Sequence, residues 1–158
     1  MAEPPTPDAQ DGITVTRIFD APRERVWRER VEPERFADWF GGSEAEVPLT
    51  SVSMDVRAGG SWRLTMFAGS VSAESGRREI HWRGEYREVV EPERLVFTIA
   101  DRPGDRYELV IVDLTDLGDG RTEMLFQQRG HLSAAQYKRT GQGWSTFFDR
   151  IAERLAGG

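Results

Sequence analysis

The feature that most constrains this chain is a long alternation of apolar and polar residues that runs from residue 44 to residue 129. A period of two places successive side chains on opposite faces of a β-strand, so the alternation predicts strands that are buried on one face. Turn residues interrupt it at Gly59-Gly60 and Asp119-Gly120, as expected between the strands of hairpins. We therefore predict an antiparallel meander with strands at about 52–56, 62–66, 80–87, 95–99, 106–117 and 121–129.

Elements of other kinds flank this meander. Residues 13–19 alternate like a further strand, and two segments that begin with Pro and acidic residues predict short helices at about 22–31 and 33–40, the second ending at Gly41-Gly42. After the meander, Ser133 and Gln136 form a capping box. The large apolar residues that follow recur at helical spacing: Tyr137, Trp144, Phe147, Phe148, Ile151 and Leu155.

This order of elements predicts an α+β fold. A curved antiparallel sheet of about seven strands should wrap around a long C-terminal helix, with two short helices after the first strand. Residues 1–11 contain three Pro and almost no apolar side chain, and we expect them to be a disordered tail. Residues 12–158 are then expected to form a single domain.

Composition restricts the function further. The chain contains no Cys and only two His, which argues against metal sites and thiol chemistry, so we expect no metal and no cofactor. A net charge of −6 argues against nucleic acids and anionic membrane surfaces as partners. No apolar run is long enough to span a membrane, and the first residues do not resemble a signal peptide, so we expect a cytoplasmic protein.

A sheet that curls around a helix encloses a space, and the inward residues of both would line it. We predict a ligand-binding cavity lined by aromatic and Met side chains: Trp39, Phe40, Met54, Trp62, Met66, Trp82, Tyr86, Phe97, Phe126, Trp144 and Phe148. Each of these could instead be ordinary core. Glu88 shares the inward phase and is a candidate polar group in the cavity, or else pairs with an Arg at the rim.

Three details are left open by the pattern. In the run 107–114, which is apolar in both phases, we predict that Val110, Val112 and Leu114 point inward, which leaves Glu108 inward near the cavity mouth or displaced by a bulge. Gly141 and Gly143 in the last helix indicate either a close approach of helix and sheet or local flexibility that lets this half of the helix admit a ligand. His81 is assigned to the solvent face.

Several segments together resemble the START-like, or SRPBCC, superfamily. They are 19–27 (FDAPRERVW), 33–40 (PERFADWF), 59–62 (GGSW), 84–98 (GEYREVVEPERLVFT), 118–122 (GDGRT) and 143–144 (GW). The chain is most similar to the branch related to the C-terminal domain of the activator of the 90-kDa heat-shock-protein ATPase. The resemblance implies a helix-grip fold with a deep cavity. Residues 39–42 (WFGG) depart from the branch, which often has two Trp and Gly-Pro there, so the cavity mouth is expected to differ.

Three functions remain in view. We expect binding of a small hydrophobic or aromatic molecule in the cavity. The first alternative, implied by the resemblance, is a polyketide cyclase- or dehydratase-like enzyme, with acid–base groups drawn from Tyr86, Glu88, Tyr107, Gln128 and His131; no His–carboxylate pair is evident in the sequence. The second is a chaperone-ATPase regulator or interaction module in which outward Tyr107, Leu109 and Ile111 join two subunits or dock a partner.

Overall fold

A computed structural model describes residues 12–40, 45–68, 78–101 and 106–157. Its helices and strands follow one another in this order: β1 (Ile13–Phe19), α1 (Arg23–Val31), α2 (Pro33–Trp39), β2 (Ala45–Glu46), a 3₁₀ turn (Leu49–Ser51), β3 (Ser53–Met54), β4 (Ser61–Ala68), β5 (Arg78–Val90), β6 (Arg94–Ile99), β7 (Glu108–Asp116), β8 (Thr122–Arg129) and α3 (Ala134–Gly157). The predicted tail 1–11 and the predicted helix end at Gly41-Gly42 lie outside the described residues.

The strands form one antiparallel sheet in the order β1-β8-β7-β6-β5-β4-β2, with β3 paired to β4. The predicted α+β fold is therefore confirmed, with eight strands where about seven were expected. The additional strand is Ala45–Glu46, which is too short to produce a period-two pattern. Strand β1 pairs with β8 and forms one edge of the sheet, and β2 forms the other edge.

The short helices begin where the Pro residues predict. Pro22 is the N-cap of α1, with Glu24 in its first turn, and Pro33 is the first residue of α2. Helix α1 buries Val26 and Trp27. The indole Nε1 of Trp39 in α2 donates to the backbone oxygen of Glu29 at 2.6 Å, which fixes α2 against α1.

Helix α3 is capped as predicted. The backbone N–H of Gln136 donates to Oγ of Ser133 at 3.2 Å, and the backbone N–H of Ser133 donates to Oε1 of Gln136 at 2.8 Å. One stripe of the helix is buried against the sheet: Tyr137, Trp144, Phe148, Ile151 and Leu155. The capping box thus fixes where the helix begins, and the stripe fixes which face it presents.

An ion-pair cluster fastens the C-terminal half of α3 to the short helices. Arg154 donates from Nε to Oε1 of Glu29 at 2.6 Å, and Arg35 also contacts Glu29 at 3.4 Å. Glu29 is buried, so these contacts compensate for its lost hydration. Arg154 also pairs with Asp38 at the end of α2.

A second buried charge, Arg30, has aromatic partners instead. Its guanidinium lies 5.3 Å from the ring centre of Trp39 and 5.5 Å from that of Phe148, a cation–π arrangement. Burial lowers the pKa of Arg30 to about 9, so the side chain still carries its charge at neutral pH.

The inward phase of β7 follows the prediction. Val110, Val112 and Leu114 are buried, and Glu108 lies in the same phase and is also buried. On the opposite face, Tyr107 is half exposed, and the guanidinium of Arg87 lies 5.2 Å from its ring centre.

Candidate ligand cavity

A cavity of about 370 Å³ opens between α3 and the β5–β8 part of the sheet. One side of it is apolar and the other carries polar side chains. It is lined by Phe40, Trp82, Ile99, Ala100, Asp101, Arg106, Glu108, Gln128, His131, Leu132, Thr140, Gly143, Trp144 and Phe147.

The apolar wall is built from aromatic rings that pack edge to face. Phe40, the residue after α2, lies 6.1 Å from Trp82 of β5 and 6.0 Å from Trp144 of α3, measured between ring centres. Phe147 lies 5.4 Å from both Phe40 and Trp144. Rings held by several neighbours of this kind form a stiff apolar surface against which the rings of an apolar molecule can pack.

The polar end is centred on the carboxylate of Glu108, whose side chain is 7% exposed. Its Oε1 accepts from Nε2 of Gln128 at 3.1 Å, and its Oε2 accepts from the backbone N–H of His131 at 2.7 Å. Nδ1 of His131 lies 2.9 Å from the same Oε2. A carboxylate is only an acceptor, so Nδ1 must carry the proton in this contact, and Nε2 is left as the ring atom that can meet a ligand.

The amide of Gln128 links this end to the aromatic wall. Its Oε1 accepts from the indole Nε1 of Trp144 at 2.7 Å, while its Nε2 donates to Glu108. An indole N–H can only donate, so the amide has one orientation. The chain from Trp144 through Gln128 to Glu108 therefore holds the carboxylate and one aromatic ring in a fixed relation.

Two glycines make room for the cavity and its polar end. A Cβ at Gly130 would overlap the carboxylate of Glu108, so only glycine leaves space for that side chain. A Cβ at Gly143 would meet nothing within 4 Å. Of the two interpretations offered for the helix glycines, close approach to the sheet therefore does not apply at Gly143, which lines the cavity. A Cβ at Gly141 would lie 3.6 Å from Cγ2 of Ile13 in β1, an ordinary contact distance.

Tyr137, in the first turn of α3, borders the same carboxylate. Burial is the main cause that raises the pKa of Tyr137, and a hydrogen bond with Glu108 adds to it. Its hydroxyl also accepts from the backbone N–H of Leu132 at 3.4 Å. The phenol therefore stays protonated across the physiological range and can donate a hydrogen bond to the carboxylate of Glu108.

Only part of the predicted lining reaches this cavity. Phe40, Trp82 and Trp144 line it. Most of the others lie in the hydrophobic core: Trp39, Trp62, Met66, Tyr86, Phe97, Phe126 and Phe148. Met54 is half-buried at the edge of that core. Apart from the end of β5, periodicity identified the inward faces correctly, but it does not distinguish a residue packed under its neighbours from one that borders a void.

The candidate polar group Glu88 is not in the cavity wall. The register shifts between Tyr86 and Glu88, and Glu88 is exposed and paired with Arg94 at 3.1 Å. Glu108 occupies the polar position instead, and with His131 it supplies the His–carboxylate pair that the sequence did not reveal. Of the other acid–base candidates, Gln128 lies in this network, Tyr86 is in the core and Tyr107 is on the outer face. The signal for Glu108 was a carboxylate on an otherwise apolar inward phase.

The family described as Activator of Hsp90 ATPase homolog 1-like protein matches residues 20–156. The chain belongs to this family. The match confirms the resemblance to the helix-grip superfamily. No curated protein matches the chain.

Several solved structures share the fold of this member of the Activator of Hsp90 ATPase homolog 1-like family. Protein CV1439 from Chromobacterium violaceum is 22% identical with a TM-score of 0.79, covering 92% of this chain and 96% of that one. The AHSA1 protein SPO3351 from Silicibacter pomeroyi is 19% identical with a TM-score of 0.77, covering 92% and 97%. DynU16, from the dynemicin biosynthetic locus, is 22% identical with a TM-score of 0.70, covering 92% of this chain and 47% of that one. At these identities the likeness concerns the fold alone.

Within the described part of the chain, no helix is long and apolar enough to cross a membrane.

Proposed function

We propose that this protein binds a small, flat molecule that is apolar along most of its surface and carries a hydroxyl or carbonyl group at one end. The observation that carries the proposal is the combination, in one cavity of about 370 Å³, of an aromatic wall with a buried carboxylate–imidazole pair. This volume lies within the range of known small-molecule sites, roughly 300–1,000 Å³.

Each wall supplies a different part of the recognition. Phe40, Trp82 and Phe147 would contact the rings of the ligand, where burial of apolar area drives binding. Nε2 of His131, left without a partner among the described residues, would accept a hydrogen bond from the hydroxyl group of the ligand. When the ring carries both protons, Nε2 would instead donate to a carbonyl group. A buried hydrogen bond of this kind selects strongly against molecules that lack the polar group.

Naphthalene and 2-naphthol form a matched pair of probes, since they differ by one hydroxyl group. Titrations followed by tryptophan fluorescence, to which Trp82 and Trp144 contribute, with native mass spectrometry as a second readout, should show 2-naphthol binding at least about tenfold more tightly. His131→Gln should abolish that difference, while naphthalene binding stays unchanged. Lack of saturable binding of both probes to the wild-type protein would contradict the proposal.

A leucine at position 143 tests the cavity itself. Because Gly143 faces open space inside it, Gly143→Leu should fill part of the volume and weaken both probes together. Thr146→Leu is the matched control, since it places the same side chain on the exposed face of α3. Equal affinities in the two variants would show that the probes bind elsewhere.

The Glu108–His131 pair also favours a second function, proton transfer to and from a bound ketone. With Nδ1 held by Glu108, Nε2 of His131 would remove a proton from the carbon next to the carbonyl and return one to the resulting enolate. Exchange of the α-protons of 2-tetralone in D₂O, followed by NMR, tests this step. Exchange no faster than in the His131→Gln variant would leave binding as the function of the site.

A further inference from the structure

A second concavity lies on the opposite face of the sheet from the cavity. It is a groove of about 850 Å³ formed where the 3₁₀ turn and β3 approach β4 and β5. Trp62 and Leu64 of β4 are buried on the inner face, so the alternate residues of that strand, Ser61, Arg63 and Thr65, belong to the outer face. Trp82 of β5 borders both the cavity and the groove, but Arg63 and Arg83 line the groove alone.

Two arginines lie opposite each other in the floor of the groove. Arg63 of β4 and Arg83 of β5 are direct cross-strand partners, and both line the groove. Side chains in such a pair have Cβ atoms only about 5 Å apart, and like charges at this spacing destabilise a sheet. The pair is therefore unfavourable unless something of opposite charge lies between the two guanidinium groups.

No protein carboxylate fills that role in the described part of the chain, where neither Arg63 nor Arg83 forms an ion pair. The acidic residues in line with them on β5 are already paired: Glu79 with His81 at 2.9 Å and Glu85 with Arg87 at 3.3 Å. Most other arginines here do have a carboxylate partner: Arg17, Arg23, Arg35, Arg57, Arg87, Arg94, Arg121, Arg150 and Arg154.

Hydroxyl groups surround the arginine pair. Ser53 of β3 is the cross-strand partner of Arg63 on its other side, and Ser61 and Thr65 flank Arg63 along β4. Oγ1 of Thr65 lies 3.2 Å from Nδ1 of His81, which stands next to Arg83 along the same face. Two guanidinium groups and the neighbouring hydroxyl groups are hydrogen-bond donors that suit the oxygens of a phosphoryl group.

We propose that this groove binds a small molecule that carries a phosphate group, with Arg63 and Arg83 holding the phosphoryl oxygens and the serine and threonine hydroxyls completing the contacts. The net charge of −6 disfavours a nucleic-acid chain, whose neighbouring phosphates would meet an acidic surface. The proposal rests on residues outside the cavity and stands or falls independently of the function proposed there.

Inorganic pyrophosphate is the probe, measured by isothermal titration calorimetry with the full chain at low and at physiological ionic strength. The wild-type protein should bind it saturably, and Arg63→Gln and Arg83→Gln should each weaken binding at least about tenfold. Arg121→Gln, which removes one positive charge at the β7–β8 turn, is the matched control and should bind like the wild type.

Thermal unfolding supplies a readout that does not depend on heat of binding. Without pyrophosphate, the Arg63→Gln variant should melt at or above the melting temperature of the wild type, because the repulsion between the two arginines is relieved. With pyrophosphate, the melting temperature should rise only for the wild type and for Arg121→Gln. An equal gain in all four proteins would overturn the proposal, as would tighter binding of a single-stranded oligonucleotide than of pyrophosphate.

Discussion

Nδ1 of His131 lies 2.9 Å from Oε2 of Glu108, and the backbone N–H of the same His131 donates to that oxygen at 2.7 Å. One residue thus contacts the carboxylate through both its main chain and its ring. With Gln128 bound to the other oxygen, the carboxylate accepts hydrogen bonds on both sides while it is buried. These contacts therefore stabilise the fold around the buried carboxylate.

Replacing this carboxylate by an amide should destabilise the protein. In Glu108→Gln the new NH₂ group faces a donor on one side, and at least one buried N–H loses its acceptor. We expect the free energy of unfolding in urea to fall by about 1–3 kcal/mol. Glu88→Gln is the control, because that exposed pair with Arg94 should contribute less than about 1 kcal/mol. Similar small losses in both variants would contradict the account of Glu108.

The sequence predicts only part of this site. Alternation in 107–114 correctly placed Val110 and Val112 inward and left Glu108 either inward or displaced. Its partner His131 is far along the chain and lies beyond the end of β8, so no local pattern connects the two. A pairing of this kind depends on strand register, which turn and packing geometry decide.

At Glu88 the alternation itself gives the wrong face. It follows Trp82, Gly84 and Tyr86 at intervals of two, and an unbroken strand would point it inward. The register shift after Tyr86 interrupts the alternation, and Glu88 becomes exposed. A bulge adds one residue to a strand, so the inward phase moves from Tyr86 to Val89, which packs against the core. Because Val90 is apolar as well, the alternation did not distinguish the two phases.

The helices were more predictable because their signals are local. Pro33 and the Ser133–Gln136 capping box act within one turn, and the structure contains both helix starts. The depth of burial was not predictable in the same way. Phe126 and Trp144 both point inward, yet only Trp144 borders the cavity, since that difference depends on the shape of the whole core.

Alanine at position 130 should disturb the polar end of the cavity. The added methyl group would overlap the Glu108 carboxylate, which must then give up its contacts with His131 or Gln128. We expect Gly130→Ala to lower the free energy of unfolding by about 1–3 kcal/mol, measured by urea denaturation. Gly118→Ala is not a suitable control because its φ of +87° is itself strained for alanine, whereas Gly157→Ala has open space and should be nearly neutral. Full stability of Gly130→Ala would show that Glu108 can move freely.

Alanine at position 143 should have the opposite effect. Glycine inside a helix is less stable than alanine by about 1 kcal/mol, and a methyl group here meets no neighbour. Gly143→Ala should therefore raise the melting temperature by a few degrees, since about 1 kcal/mol corresponds to roughly 2–4 °C in a domain of this size. A lower melting temperature would mean that the helix backbone is distorted at this point.

Tyr86 should make stability depend on pH in the alkaline range. Burial is the main cause that raises the pKa of its hydroxyl well above the ordinary value near 10, and the charge of Asp55 adds to the effect. The unfolded chain therefore loses this proton near pH 10 while the folded protein keeps it, so the stabilisation is complete below about pH 10 and is lost as the pH rises beyond it. Urea denaturation at a series of pH values from 8 to 11 should show the wild type losing stability faster than Tyr86→Phe above about pH 10. Parallel curves for the two proteins would mean that Tyr86 ionises as readily in the folded state as in the unfolded chain.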